Sequence, residues 1–462
     1  MRLTPPVTDV TLYEGFTPEK DIFERKHLGV RLAHLMEHIS EPIIGVLDAP
    51  WGSGKTTFAR MLHGHLHQQG FPVIYFDAFA NDYINDPFLA IIGEIIGLAE
   101  KKAQKLGHQR KLLKEKAIAV SKIVARIGIK LGVKALTLGV MNASDLDDLG
   151  KISEEGADVI ATTVDDYIRK ILEDQIGERQ LFFEFRCILS KIATDLSDNA
   201  EEGSRRPLVF IIDELDRCKP SFSLGLLETI KHFFSVENVH FLMVTHLSQL
   251  ENSVKFQYGA NIDAMNYLHK FYNILVTLPD VPSNGPTNNL RARYINYIFS
   301  DISDDSERGN FAHSLASFLI PVACNCGMTL RTIERVYTNI NLVLLCSNER
   351  YLRIPELLIV LASLKVLDIN IYNRIRNKVC NVVEIDQIFH FDAWPSPHHA
   401  PAGRRMSMWL AYCLRKDIDV NGDEWRAYTQ FMFKYSIERE QILPAMCSIL
   451  DEFKFVGATD LI

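Results

Sequence analysis

The sequence predicts an α/β protein: a parallel sheet flanked by helices, interrupted by a helical insertion and followed by a helical C-terminal region. Three observations predict it. Apolar, β-branched runs alternate with stretches of helical period. The first run opens directly into a glycine-rich turn that ends in Lys-Thr. The third run ends in two adjacent acids, Asp213 and Glu214.

The elements follow in order. The opening residues, MRLTPPVTDV, have no apolar core of the signal-peptide kind, and residues 1–20 read as an N-terminal segment. Buried strands are predicted at PIIGVLDAP (42–50), PVIYFDAF (72–79), PLVFIIDEL (207–215) and VHFLMVTH (239–246), with NILVTLP (273–279) as a fifth. Helical patterns lie at Thr56–Gln69, Pro87–Lys105 and Ser223–Phe234. Roughly 130 residues separate the second and third strands, far more than a crossover needs. An insertion, helical throughout, is therefore expected over 95–205, inside a core of 21–284. From 285 to 462 strand signals fade and helical period dominates. The uncharged stretch Gly309–Leu330 contains His313, Pro321 and Asn325 and reads as buried helix and loop, not a membrane span.

Composition narrows the classes. With 47% hydrophobic and 23% charged residues the 462-residue chain can build a substantial core. A net charge of −8 argues against broad, charge-driven nucleic-acid binding. The eight cysteines are scattered without a Cys-x-x-Cys pair, so zinc-site and thioredoxin-like readings fail and reduced thiols in the cytoplasm are expected. Cys324 and Cys326 stand close, but no second ligand pair accompanies them. His398 and His399, adjacent in a Pro-rich loop, are poorly arranged for joint metal binding.

The Lys-Thr turn is the first functional signal. A strand, then Gly-x-x-x-x-Gly-Lys-[Ser/Thr], then a helix makes a phosphate cradle. Here it reads Ala49, Pro50, Trp51, Gly52, Ser53, Gly54, Lys55, Thr56, followed by Thr57, with alanine where the first glycine usually stands. Gly52 and Gly54 let backbone amides turn inward. Lys55 suits the β- and γ-phosphates, the Thr56 hydroxyl suits Mg²⁺, and the helix start adds its positive end. The acidic strand end is the second signal. Asp213 suits a contact to Mg²⁺, and Glu214 is placed to orient and deprotonate a water aimed at the γ-phosphate. That pairing favours a hydrolase over a small-molecule kinase, which needs an acceptor site. No Asn-Lys-x-Asp guanine-reading motif occurs, so ATP is expected rather than GTP. Asp216 and Arg217 follow as an internal ion pair or as groups facing a neighbouring subunit.

These stretches together resemble the KAP family of P-loop NTPases: DAPWGSGKTTF, YFDAFANDYINDPFLAIIGEI, VFIIDELDRCKPSFSLGLLETIKHFFSVENVHFLMVTHLSQL and YLHKFYNILVTLP, over about 20–100 and 205–340. The resemblance implies an α/β P-loop NTPase of the additional-strand, catalytic-glutamate class, with a parallel five-stranded sheet flanked by helices. It implies ATP and Mg²⁺ as cofactors and, for bacterial members, a place in defence against phage. This chain departs from the family twice. Asp77-Ala78-Phe79 stands for Asn-Ala-Trp, and the fourth strand ends in Thr245-His246 where an Asp is usual, so either residue is a candidate γ-phosphate sensor. MTLRTIERVYTNI resembles the family's late arginine motif. It makes Arg331 a candidate to reach the nucleotide in cis or in trans, with Arg335 one turn on as the alternative.

Many family members carry membrane-spanning helices where this chain has KAIAVSKIVARIGIKLGVKALTLGVM. Lys122, Arg126, Lys130 and Lys134 recur every four residues and make a spanning helix costly. Three readings stay open: contact with an anionic membrane surface, an apolar face packed on a partner or second copy with the stripe exposed to nucleic acid, or a solvated face over the chain's own core. The expected protein is a cytoplasmic or peripherally membrane-associated ATPase. It would act as a homo-oligomer or with a partner protein encoded nearby. The alternative is a nucleotide-stabilised scaffold with little turnover.

Overall fold

The computed structural model describes residues 10–84, 86–101, 106, 108–121, 177, 179–197, 206–278, 290–300, 307–346, 353–394, 400–416, 418–420, 422–433, 435 and 437–452. The stripe residues Lys122, Arg126, Lys130 and Lys134, and the pair His398 and His399, lie outside them.

Five parallel strands form one sheet: β1 (Ile44–Asp48), β2 (Val73–Asp77), β3 (Leu208–Asp213), β4 (Val239–Thr245) and β5 (Ile274–Thr277), in the order β2-β3-β4-β1-β5. The strand that feeds the glycine-rich loop is thus separated from the acidic strand by β4, the additional-strand order. Side chains alternate across the sheet, as the pleat requires. Leu208, Phe210 and Ile212 enter one core, while Val209 and Ile211 enter the other. This is why β3 is apolar at every position before Asp213: both its faces are covered.

The helix Lys55–Gln68 packs on one face with Lys26–His38. The helices Pro87–Lys101, Pro220–Thr229 and Leu247–Tyr258 cover the other, joined by the described parts of the insertion, the helical stretches 108–121 and 179–195. The predicted helix Ser223–Phe234 departs from a single α-helix. It starts at Pro220, whose missing N–H costs nothing in a first turn, and widens into a π-turn at Ile230–Phe234. A third core lies wholly in the C-terminal helices, from Leu290–Ser300 to Ile442–Glu452, and Ile22 and Phe23 pack against it. Pro321 sits inside the helix Glu307–Asn325. Among the described residues no helix is long and apolar enough to cross a membrane.

The N-terminal segment crosses the helix Lys55–Gln68 at close range. His63 Nδ1 donates to the Leu12 carbonyl at 2.5 Å, and a Cβ at Gly64 would stand 2.2 Å from the Gly15 amide nitrogen. Gly64→Ala is therefore expected to push the segment off and to cost about 1–3 kcal/mol, read as a lowered urea midpoint at unchanged m.

Candidate functional site

The parallel register sets the carboxyl ends of four strands side by side. Asp48 pairs with Thr245, Asp77 with Asp213, and Asp213 with Val244. Ligands of open parallel sheets bind at this edge, where the strand order reverses. A pocket of about 240 Å³ opens there. The loop from Trp51 to Thr57 lines it on one side and Asp213, Glu214 and Asp216 on another.

The loop's shape explains its sequence. Gly52 and Gly54 have φ of +76° and +82°, which disfavours any side chain, whereas Ala49 is not among the residues with positive φ. The missing first glycine therefore costs the turn nothing. Ala49 is buried, and its carbonyl with that of Pro50 accepts from Lys55 Nζ at 2.5 and 3.2 Å. Pro50 itself lies away from the pocket, beside a smaller cavity of about 180 Å³ behind the loop. Burial holds the Lys55 ammonium below its ordinary range, and Asp216, Asp213, Asp48 and Glu214 oppose that shift.

Asp213 is 1% exposed. It accepts from the Tyr75 hydroxyl at 2.7 Å and from the Glu214 amide at 2.9 Å. Burial pushes its carboxyl up, against the bonds from Tyr75 and Thr56. Glu214 turns off the strand at φ +62°, a left-handed backbone uncommon outside glycine and often kept where function needs it. Its Oε1 accepts from Thr56 Oγ1 at 3.4 Å, and its Oε2 pairs with Arg217 Nε at 2.5 Å. Burial raises its pKa, Arg217 lowers it, and Asp213 and Asp216 raise it again. Arg217 thus pairs with Glu214, not with Asp216. Asp216 instead joins the Trp51 indole to the Thr245 hydroxyl, the latter at 3.2 Å. His246 meets Trp51 edge-on at 5.8 Å and bonds Ser248. Neither Thr245 nor His246 lines the pocket; Thr245 reaches it through Asp216.

Arg331 opens the helix Leu330–Cys346 and lines the same pocket in the same chain, its Cβ 3.0 Å from where a Cβ on Gly52 would be. Arg335, one turn on, is exposed and outside the pocket. Asp77 caps the short helix Ala78–Asn81 by accepting from the Ala80 amide at 2.9 Å.

The arrangement brings the Lys55 ammonium, the Thr56 hydroxyl and the Asp213, Glu214 and Asp216 carboxylates to one pocket beside amides that glycines leave open. The Ser53 hydroxyl is buried there without a hydrogen-bond partner, as a group left for a ligand oxygen would be. Thr56 Oγ1 and Asp213 are oxygen donors of the kind a hard divalent cation takes. Among the described residues no three His, Cys, Asp or Glu side chains form a metal cage, but Mg²⁺ carried by phosphates needs only one or two protein oxygens.

Sequence reading missed the residues ahead of β1. Ile22, Phe23 and Arg25 line the pocket, as does Tyr294, whose ring lies 6.1 Å from that of Phe23. The one local signal there is Asp21, which accepts from the amides of Arg25 and Lys26 at a helix start. Nothing in it points to a loop 28 residues on.

Fold and site define a nucleotide-binding P-loop NTPase. The chain belongs to the KAP family: residues 25–345 match the KAP family P-loop domain. No curated protein matches the chain in sequence. Three solved structures align along nearly all of it. The Aeropyrum pernix ORC2 protein, in ADPNP-ADP complexes, is 10% identical with a TM-score of 0.34, covering 96% of this chain and 97% of that one. AMPPCP-bound DnaA from Aquifex aeolicus is 12% identical at 0.30, covering 96% and 92%. A DNA replication initiation factor is 10% identical at 0.26, covering 96% and 98%. Likenesses at these scores say nothing about what this chain does.

Asp213 gives a stability test. Its folded pKa is raised, so the folded chain holds the proton more tightly than the unfolded one. Stability then falls as pH rises from the ordinary value near 3.8 through the raised one, and the deficit persists above it. Asp213→Asn is expected to raise the melting temperature without nucleotide by about 2 °C at pH 7. Calorimetry across pH should show the gap narrowing toward pH 4.

Proposed function

We propose that the protein hydrolyses ATP with Mg²⁺. The observation that carries this reading is the meeting of Thr56, Asp213 and Glu214 in the pocket that contains Lys55. The loop from Trp51 to Thr57 would cradle the phosphates with its amides. Lys55 would leave the Ala49 and Pro50 carbonyls for the β- and γ-phosphate oxygens. Thr56 and Asp213 would hold Mg²⁺, which when bound neutralises charge on those oxygens. Glu214 would take the proton of the water that attacks the γ-phosphorus, giving ADP and inorganic phosphate. Arg331 would meet the γ-phosphate in cis, since its place in its own chain's pocket supports that reading over one in trans. Thr245 would sense it through Asp216. The apolar end, with Phe23 and Tyr294, suits a purine ring.

Hydrolysis would move the helical C-terminal region against a homo-oligomeric or separate partner, through Arg331. Its use in anti-phage defence rests on family resemblance alone and not on the site. A second reading has its own support: Glu214 is ion-paired to Arg217, and Lys55 is bonded inside the loop. Both suit a nucleotide-stabilised switch that turns over slowly.

Phosphate release from the purified protein separates the two. Wild-type release that falls at least about 100-fold in Lys55→Ala and Glu214→Gln, and by several fold in Arg331→Ala, supports the hydrolase. Tight ATP binding without release supports the switch. The pH profile adds a sign. A base with a raised pKa loses activity as pH falls, so the acid limb of kcat/KM should lie above the ordinary glutamate value of 4.5. Arg217→Ala, which removes a lowering influence, should move that limb upward.

A further inference from the structure

Arg25 belongs to no motif, yet it is built into the loop. It is 2% exposed. Its amide donates to Asp21 Oδ1 at 2.8 Å, and that of Lys26 to Oδ2 at 2.8 Å, so the turn carrying it is fixed at its base. Its guanidinium lies over the Phe23 ring at 4.7 Å and donates through Nη1 to the Ser53 carbonyl at 2.9 Å. A Cβ on Gly54 would sit 3.3 Å from Nη1 and 3.5 Å from the Phe23 ring. The residue just before it, Glu24, is ion-paired to Arg293 on the helix Leu290–Ser300, which ties the same turn to the C-terminal region.

A trans peptide is planar, so a carbonyl and the amide N–H that follows it point in opposite directions. The described peptide bonds are all trans. A bond that holds the Ser53 carbonyl therefore also fixes the direction of the Gly54 N–H. This peptide needs such a hold, because glycine at position 54 has no Cβ to bar the alternative backbone conformations. If it turned over, the cradle would present a carbonyl oxygen where a phosphate needs a donor.

We propose that Arg25 is a positioning residue that locks the Ser53–Gly54 peptide with its N–H turned to the phosphates of a nucleoside di- or triphosphate. The inference rests on reading the pocket as a nucleotide site. The lock needs the planar fork: a lysine keeps the charge over Phe23 but replaces the directed N–H by a mobile ammonium. Its effect falls on binding, since ATP and ADP both carry the phosphates nearest the loop. It leaves the attack on the γ-phosphorus alone.

The test uses the full chain with Mg²⁺, titrating ATP and ADP by calorimetry and following phosphate release. Arg25→Ala is expected to weaken both nucleotides by roughly tenfold or more, the scale of a lost charged hydrogen bond. Arg25→Lys should weaken them less. In release assays KM should rise with kcat within about twofold. Where a variant is less stable, the gain in unfolding free energy at a fixed ATP concentration, compared at one temperature, reports affinity separately from the starting stability, and that gain should shrink. Affinities for ATP and ADP within twofold of wild type in Arg25→Ala overturn the lock. So does a fall in kcat at unchanged KM, which would assign Arg25 to chemistry. A wild-type protein that binds no nucleotide overturns the nucleotide reading itself. Nucleotide binding by wild type and its loss in Lys55→Ala, with Arg25→Ala unaffected, leaves that reading standing and removes only the lock.

Discussion

Strand β4 hydrogen-bonds to β1 on one side and β3 on the other, and the site exists because of that ladder. The loop after β1 and the acids after β3 are about 160 residues apart in sequence, and no local contact could bring them together. The shared register does so by aligning Asp48 with Thr245 and Asp213 with Val244. Both ladders are buried on both faces, so a slip of one residue would turn Phe210 and Phe241 out of the core they share with Phe76. The hydrophobic effect thus sets the spacing of polar groups that contribute nothing to it.

The alignment crowds charge at a buried edge, and burial is the main cause of the shifted acidities. Lys55 faces Asp216, Asp213, Asp48 and Glu214, yet burial outweighs them and lowers the ammonium, and burial likewise raises the Asp213 and Glu214 carboxyls. Each group is held by protein: Lys55 by loop carbonyls, Asp213 by Tyr75, Glu214 by Arg217, and Asp216 by Trp51 and Thr245. Such a network carries several buried charges at moderate cost because every one has a partner. It also means that the Trp51 indole, the end of β4 and the turn after β3 respond to one carboxylate. A change at Thr245 or Trp51 is felt by Asp216, and through its charge by Lys55.

What could be read from sequence follows from the range of each interaction. The central strands β1, β3 and β4 were legible because burial on both faces makes them continuously apolar, and β1 and β3 were marked further by the polar groups that end them; β5, expected to be buried, is an edge strand whose residues are all partly or fully exposed. Lys55, Thr56, Asp213 and Glu214 could be picked out because strand, turn and helix start adjoin in sequence. Ala49 looked like a defect in the loop, but the φ values place the demand for glycine at 52 and 54 only. The π-turn at Ile230–Phe234 was hidden because its apolar pattern, followed for one turn, matches an α-helix. The partner of Trp51, Asp216, lies 165 residues on, and no periodicity connects them. Arg25 and Phe23 were invisible for the same reason: what they touch is set by the path of the chain across the sheet edge.

The two glycines of the loop show how far that path reaches. Gly52 abuts Arg331 of the C-terminal helix, and Gly54 abuts Arg25 of the N-terminal segment. Both positions require glycine for their positive φ, and each has an arginine from another region against it: Arg331 Cβ would stand 3.0 Å from a Cβ on Gly52, and Arg25 Nη1 3.3 Å from one on Gly54. The loop is therefore a seam between three parts of the molecule as well as the turn between β1 and its helix. A displacement of the helix Leu330–Cys346 by even an ångström must either open a gap at Gly52 or carry the loop with it, because close-packed interfaces shift between discrete arrangements and do not stretch. The Glu24–Arg293 pair ties the opposite side of the loop to the same helical region. Motion of that region would therefore act on the phosphate cradle from both of its glycines at once, and occupation of the cradle would act back on the region by the same contacts.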